Sequence, residues 1–265
     1  MSEFKQLSVD RSTPGLWTVT FSNPPINMFV PTTIDELGAL MTDLEADPSL
    51  KVIVFQSANP DFFVAHLDVS KAAERPDALG LWRDFVLRLS STPVVSIAKI
   101  RGRTRGIGNE FVLACDMRFA SRQSALFGNP EVGVGLVPGG GALEWLPRLV
   151  GRSRALEIVL SGDDFDADIA ERYGWVNRTL DDGDLDSFVD TLARRLAPFD
   201  REALPVGVTL PSEVLAPDVI ASLIRMSGGN FRLLTQIERI LKVNQLDKVS
   251  KEIVAAARGL VIGQV

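Results

Sequence analysis

The sequence predicts an α/β fold in which strands are joined by helical crossovers. Two observations carry this. Short apolar strands alternate with helical spacing along the first two thirds of the chain, the order that builds crossover connections. The strand Val94–Ala98 then runs straight into a glycine loop and an apolar helix.

Taken in order, Leu16–Phe21 alternates and is rich in β-forming residues, so it reads as a strand ended by Asn23-Pro24-Pro25. Thr32 or Thr33 suits the cap of a helix through Asp35, Leu37, Leu40 and Leu44, with acids in its first turn. Lys51–Gln56 is nearly continuous in apolar residues, as a buried strand is. A loop leads to Asp61–Val64 and the segment Ala65–Asp68. Leu79–Leu89 has helical spacing in Leu81, Trp82, Phe85, Val86 and Leu89, and Pro93 stops it before the next strand. Past the glycine loop, Phe111–Cys115 reads as buried helix and Ala125–Phe127 as strand. Helices are expected at Leu143–Leu149, Ser153–Leu160, Ala167–Tyr173 and Leu185–Leu196, with a strand at Trp175–Thr179. From Pro198 the character changes: prolines interrupt, and Glu213–Ala257 reads as two or three amphipathic helices. The expected division is a core over 1–197 and a helical C-terminal region over 198–265, without internal repeats.

The 265 residues suffice for a large packed core. A net charge of −6 speaks against a general nucleic-acid or membrane-surface binder, since phosphate binding is dominated by Lys and Arg. Arg101, Arg103 and Arg105 do cluster, and such a patch would suit a small phosphorylated ligand or simply be solvated. The single cysteine excludes an internal disulfide, points to a reducing compartment and falls within an apolar run, as a core residue does. No apolar stretch has the length of a membrane span, and the N-terminus lacks the order of a secretion signal. A cytoplasmic protein is the expectation.

The stretch Ile100–Glu131 holds the candidate chemistry. Gly102, Gly106 and Gly108 precede the buried helix, and glycines there let the backbone take positive φ and approach a ligand. The first N–H groups of a helix lack intrahelical partners and carry the positive end of the dipole, so they suit an anion formed during a reaction. Glu110 sits at the start of that helix, where apolar company makes its charge costly. Glu131 follows Asn129-Pro130, and Pro130 is compatible with a first helical turn. Two acids in different surroundings can be held at different pKa values, one donating a proton while the other accepts. The competing reading is that Glu131 caps a helix and Glu110 marks a boundary. His66, the only histidine, lacks a second His or Cys for a metal site, so none is expected; a structural or ligand-contacting role suits it better than catalysis.

At these residues a resemblance enters. Gly106-Ile107-Gly108-Asn109-Glu110, Ala114-Cys115-Asp116-Met117-Arg118-Phe119-Ala120 and Pro130-Glu131-Val132-Gly133-Val134-Gly135-Leu136-Val137-Pro138-Gly139-Gly140-Gly141 resemble the crotonase (enoyl-CoA hydratase/isomerase) superfamily. Asn23-Pro24-Pro25-Ile26-Asn27 and Ala65-His66-Leu67-Asp68 fall where that family has N-P-x-x-N and A-G-x-D. Leu149-Val150-Gly151-Arg152, Leu160-Ser161-Gly162-Asp163 and Ala170–Val176 continue the pattern. The likeness spans roughly residues 5 to 195 and rests on motif order more than on any one motif.

The resemblance implies a superhelix of ββα turns with a helical C-terminal trimerisation region, and hence a homotrimer or dimer of trimers. It implies an acyl-CoA thioester substrate and no resident cofactor, coenzyme A being part of the substrate. By position, the backbone N–H groups of Leu67 and Ile107 would form an oxyanion hole for the thioester oxygen as it gains enolate charge. Glu110 would activate water, and Glu131 would deliver a proton in hydration of a trans-2-enoyl-CoA. Ala65, His66, Asp68 and Gly106 would contact the substrate or coenzyme A, with Lys71 or an arginine at the 3′-phosphate. Two departures stand out: Ile107 and His66 occupy positions where the family has glycine. A Δ3,Δ2-enoyl-CoA isomerase and a non-catalytic acyl-CoA binder are the alternatives.

Overall fold

The computed structural model describes residues 4–199. The C-terminal helices and trimerisation region expected from 198 onward therefore lie almost wholly outside the described residues.

β1 (Leu7–Thr13) and β2 (Leu16–Phe21) form an antiparallel hairpin. β2 then pairs in parallel with β3 (Val52–Ser57), β3 with β5 (Val95–Ile100), β5 with β7 (Met117–Ser121), and β7 with β10 (Arg178–Leu180). The sheet order is β1-β2-β3-β5-β7-β10. A second, four-stranded sheet runs β4 (Phe62–Val64), β6 (Arg103–Arg105), β8 (Leu126–Gly128), β9 (Phe165–Asp166). From β3 to β8 the chain thus alternates, laying one strand in the large sheet and then a short one in the small sheet, with a helix after each pair. Every residue of β5 is buried, as expected of a parallel strand covered on both faces.

The helices are α1 (Pro31–Ala46), α2 (Ala78–Ser91), α3 (Ile107–Ala114), α4 (Ala142–Val150), α5 (Arg152–Ser161), α6 (Ala167–Tyr173) and α7 (Asp182–Leu196). α1 begins earlier than its threonines predict. Pro31 takes the first helical position, for which its fixed φ is suited, and Val30 is the cap residue. Thr33 accepts from the Val30 N–H at 3.2 Å, one turn in, and the acids Asp35 and Glu36 fall beyond the first turn. The strand expected at Trp175–Thr179 starts only at Arg178, because Trp175 closes the turn after α6 with its N–H on Ala170 O at 2.9 Å.

α3 is wholly buried, and its Phe111 is the hub of the core. Six rings, those of Phe21, Phe29, Phe55, Phe63, Trp82 and Phe85, lie with centroids 4.9–6.5 Å from it. Such pairs contribute about 0.5–1.5 kcal/mol each beyond their area burial, which fixes the rotation of α3 about its axis. Its C-terminal end is tied by buried Arg118, which donates to the carbonyls of Cys115 at 2.6 Å and Val112 at 3.2 Å. Close approach on the other side depends on Gly108, where a Cβ would stand 2.6 Å from the Val64 carbonyl oxygen.

Candidate active site

The N-terminus of α3 is set by Gly106. Its φ of 52° and ψ of −121° belong to a region that side chains avoid, and its N–H is held by Gly128 O at 3.0 Å. The positive φ thus falls on Gly106 and not on Ile107, so the β-branched residue begins the helix without backbone strain. Ile107 is buried, and as the first helical residue its N–H has no intrahelical acceptor.

Across from it, Ala65-His66-Leu67-Asp68 follows β4 and pairs with Phe29. Phe29 N–H donates to His66 O at 3.0 Å, and Asp68 N–H donates to Phe29 O at 2.8 Å. The Leu67 N–H points away from that pairing and finds no acceptor among the described residues. Asn27 ties down β4 just ahead of this segment: its side chain donates to Ser57 Oγ at 2.6 Å and to the carbonyl of Phe62 at 3.3 Å. Ala65 is buried. Asp68 accepts from the Ser70 hydroxyl at 2.6 Å, which keeps its carboxyl below the usual range. His66 is exposed, with Nδ1 2.9 Å from the Leu67 carbonyl oxygen.

The two glutamates are held in different ways. Glu110 is buried on α3 and accepts at Oε1 from the N–H groups of Gly140 (2.7 Å) and Ala142 (3.3 Å), at the start of α4. Burial raises its pKa and these donors lower it; burial wins, with the nearby Glu131 and Glu144 adding to the rise, and the carboxyl reaches about 7. Glu131 lies in a 3-10 turn, Pro130–Val134, with Pro130 at its first position as the sequence predicts. Its pKa is also raised by burial, against a hydrogen bond from Asn129 Nδ2 to Oε1 at 3.3 Å. The other oxygen, Oε2, is buried without a hydrogen-bond partner among the described residues.

Gly106 is where these parts meet. A Cβ there would lie 3.2 Å from Glu131 Oε1 and 3.9 Å from the His66 Cβ. The structure therefore brings Gly106, Glu131 and His66 together, one residue before the free end of α3. Two of the three clustered arginines are paired with aspartates within the fold. Arg101 is engaged by Asp182 (2.8 Å) and Asp186 (3.0 Å), Arg105 by Asp164, and Arg103 lies over the Phe62 ring. Sequence reasoning left Asn109, Asn129, Gly140 and Trp175 without roles, yet Gly140 bonds Glu110, Asn129 bonds Glu131, and Asn109 bonds both Asn129 and Trp175.

Comparison with known proteins gives the same picture. A model of the enoyl-CoA hydratase/isomerase family matches residues 11–205. The chain is 30% identical to the short-chain-enoyl-CoA hydratase of Clostridium acetobutylicum over 203 residues, 74% of this chain and 76% of that one. It is 34% identical to the fatty acid oxidation complex subunit alpha of Vibrio vulnificus over 186 residues, 67% of this chain; the match spans about a quarter (26%) of that subunit's length. Among solved structures, a candidate enoyl-CoA hydratase from Streptomyces avermitilis shares 38% identity with a TM-score of 0.72, covering 98% of this chain and 91% of that one. The protein DspI of Pseudomonas aeruginosa shares 27% identity with a TM-score of 0.77, covering 93% and 91%. With its alternating large-sheet and small-sheet strands and these matches, the chain has the crotonase fold and belongs to the enoyl-CoA hydratase/isomerase family.

Proposed function

We propose that the protein is an enoyl-CoA hydratase that adds water across the double bond of a trans-2-enoyl-CoA. The observation that carries this reading is the pair of glutamates beside the N-terminus of α3, Glu110 buried and Glu131 half-buried, each with its pKa raised by desolvation. In the forward direction Glu110, as carboxylate, takes a proton from water while the oxygen bonds to C3. The electrons of the double bond move into the thioester as an enolate, whose oxygen is stabilised by the N–H groups of Leu67 and Ile107. Glu131 then gives its proton to C2, the enolate collapses, and a proton passes from Glu110 back to Glu131 to close the cycle. Each positioned proton transfer is worth about 10²–10⁴-fold, and one oxyanion donor about 3–4 kcal/mol. Ala65, His66, Asp68 and Gly106 line the approach for the thioester and coenzyme A.

One observation favours a second reading. Glu110 Oε1 is already occupied by two N–H groups, whereas Glu131 keeps a buried oxygen unpartnered among the described residues. A single carboxyl moving a proton between C4 and C2, without water, is the chemistry of a Δ3,Δ2-enoyl-CoA isomerase. Product analysis with crotonyl-CoA and a 3-enoyl-CoA separates the two: a 3-hydroxyacyl thioester supports hydration, a shifted double bond supports isomerisation, and binding without turnover supports neither. Glu131→Gln should lower hydration by about a hundredfold or more while thioester binding persists; unchanged turnover removes Glu131 from the mechanism.

A further inference from the structure

A line of hydrogen bonds runs from the interior to Glu131. The Trp175 indole N–H donates to Asn109 Oδ1 at 2.9 Å, Asn109 Nδ2 donates to Asn129 Oδ1 at 2.6 Å, and Asn129 Nδ2 donates to Glu131 Oε1 at 3.3 Å. Trp175, Asn109 and Asn129 are each 0% exposed, so no solvent competes along the line. Its direction is dictated at the far end. An indole nitrogen only donates, so Asn109 must turn its oxygen to Trp175 and its nitrogen to Asn129. Asn129 must then turn its oxygen to Asn109 and its nitrogen to Glu131; reversing either amide would set donor against donor. The indole itself has little freedom, with Phe127 and Phe165 centroids at 5.4 and 5.9 Å and its own carbonyl accepting from Arg118 Nε at 2.9 Å.

We propose that Trp175, acting through Asn109 and Asn129, decides which oxygen of Glu131 carries the proton. Because an N–H always arrives at Oε1, the acid form holds its hydrogen on Oε2, the oxygen that is buried and unpartnered among the described residues. Resting on the reading that Glu131 donates to substrate carbon, Oε2 is the donating atom, and Oε1 remains an acceptor throughout the cycle. Trp175, Asn109 and Asn129 are thus positioning residues that touch Glu131 or one another.

The test compares the full chain with Trp175→Phe, Asn129→Leu and the double variant, measuring kcat and KM for crotonyl-CoA across pH. The Glu131 carboxyl is followed by ¹³C NMR and assigned by its loss in Glu131→Gln. Each single variant should lower kcat about ten- to a hundredfold, the worth of a hydrogen bond to a charged group, with KM within about twofold. Each should also raise the Glu131 titration midpoint, since the lost donor favours the carboxylate. The double variant should be no slower than Asn129→Leu alone, because both act along one route. Effects that add, or an unmoved Glu131 midpoint, overturn the proposal. If Trp175→Phe fails to fold, Asn109→Asp keeps the shape and the acceptor for the indole but removes the donor, so Asn129 must turn its oxygen toward Glu131. The midpoint should then rise beyond that of Asn129→Leu, and a midpoint no higher overturns the proposal. Should Glu131→Gln retain turnover, Glu131 leaves the mechanism, and the carboxyl titration still judges the relay.

Discussion

Gly140 is pinned between two partners: its N–H donates to Glu110 Oε1 at 2.7 Å, and its carbonyl accepts from the Trp82 indole at 3.2 Å. The start of α4 and the middle of α2 are thereby locked to the acid on α3. A Cβ at this position would lie 2.2 Å from Glu110 Oε2 and 2.3 Å from Trp82 Nε1. Gly140→Ala must displace one of them, and Trp82 is only 1% exposed and packed against Phe85 and Phe111. We expect a destabilisation of about 1–3 kcal/mol and a fall in kcat of the folded fraction. Urea melts with a hydration assay check both; parental values in each would mean Glu110 is not held by this loop.

The carboxyl of Glu110 links stability to pH. Its folded pKa, about 7, stands above the unfolded reference of 4.5, so the folded state binds the extra proton. The contribution is therefore fully present below about pH 4.5 and is lost as pH rises through 7, amounting to about 3 kcal/mol. The raised Glu131 adds in the same direction. Glu110→Gln should flatten the fall in unfolding free energy measured between pH 5 and 8. In the hydratase mechanism the carboxylate is the active form, so kcat should rise across pH 7 in the parent. A parent whose stability does not fall over this range would show that Glu110 is ionised when folded at all these pH values.

The local part of this arrangement was legible in the sequence, and the long-range part was not. α6 was expected with the bounds it has, since its apolar spacing ends at Gly174, a left-handed cap. The glycine loop, α3, Glu110 and Glu131 were legible because glycine and proline act on the residues beside them. β6, with the sequence Arg-Thr-Arg, was not, and neither was β9, Phe-Asp. Such segments have no strand signal of their own and are held by pairing with β4 and β8. The pairing of Arg101 and Arg105 was hidden for the same reason: Asp164, Asp182 and Asp186 are remote in sequence and arrive only with the fold. Nothing local joins Trp175 to Asn109, 66 residues away.

Gly106 tests whether the meeting point at the start of α3 is required. An alanine there must adopt φ near 52° with ψ near −121°, and its Cβ would press on Glu131 Oε1 at 3.2 Å. Strain of this kind costs about 1–3 kcal/mol. Relief by moving Glu131 would misplace the proposed acid. Gly106→Ala should therefore lose stability by that amount and lose hydration more steeply than its melt accounts for. A variant that melts lower but turns over normally when folded would separate Glu131 from the Gly106 backbone.

Ile107 gives the last prediction, on substrate range. The residue begins α3 and is only 7% exposed, packed in the core beside the N–H proposed to meet the thioester oxygen. Because Gly106 takes the positive φ, the N–H is available with isoleucine in place, and the side chain acts only by its volume. Ile107→Gly should keep the oxyanion contact while removing that volume, at a cost of about 2–5 kcal/mol for the lost packing and about a further kcal/mol for a glycine in the first helical turn. On the folded fraction, kcat/KM should rise for longer or branched enoyl-CoA esters relative to crotonyl-CoA. A panel of esters assayed at a temperature well below both melts decides it: the same profile in parent and variant would mean that Ile107 does not border the acyl group.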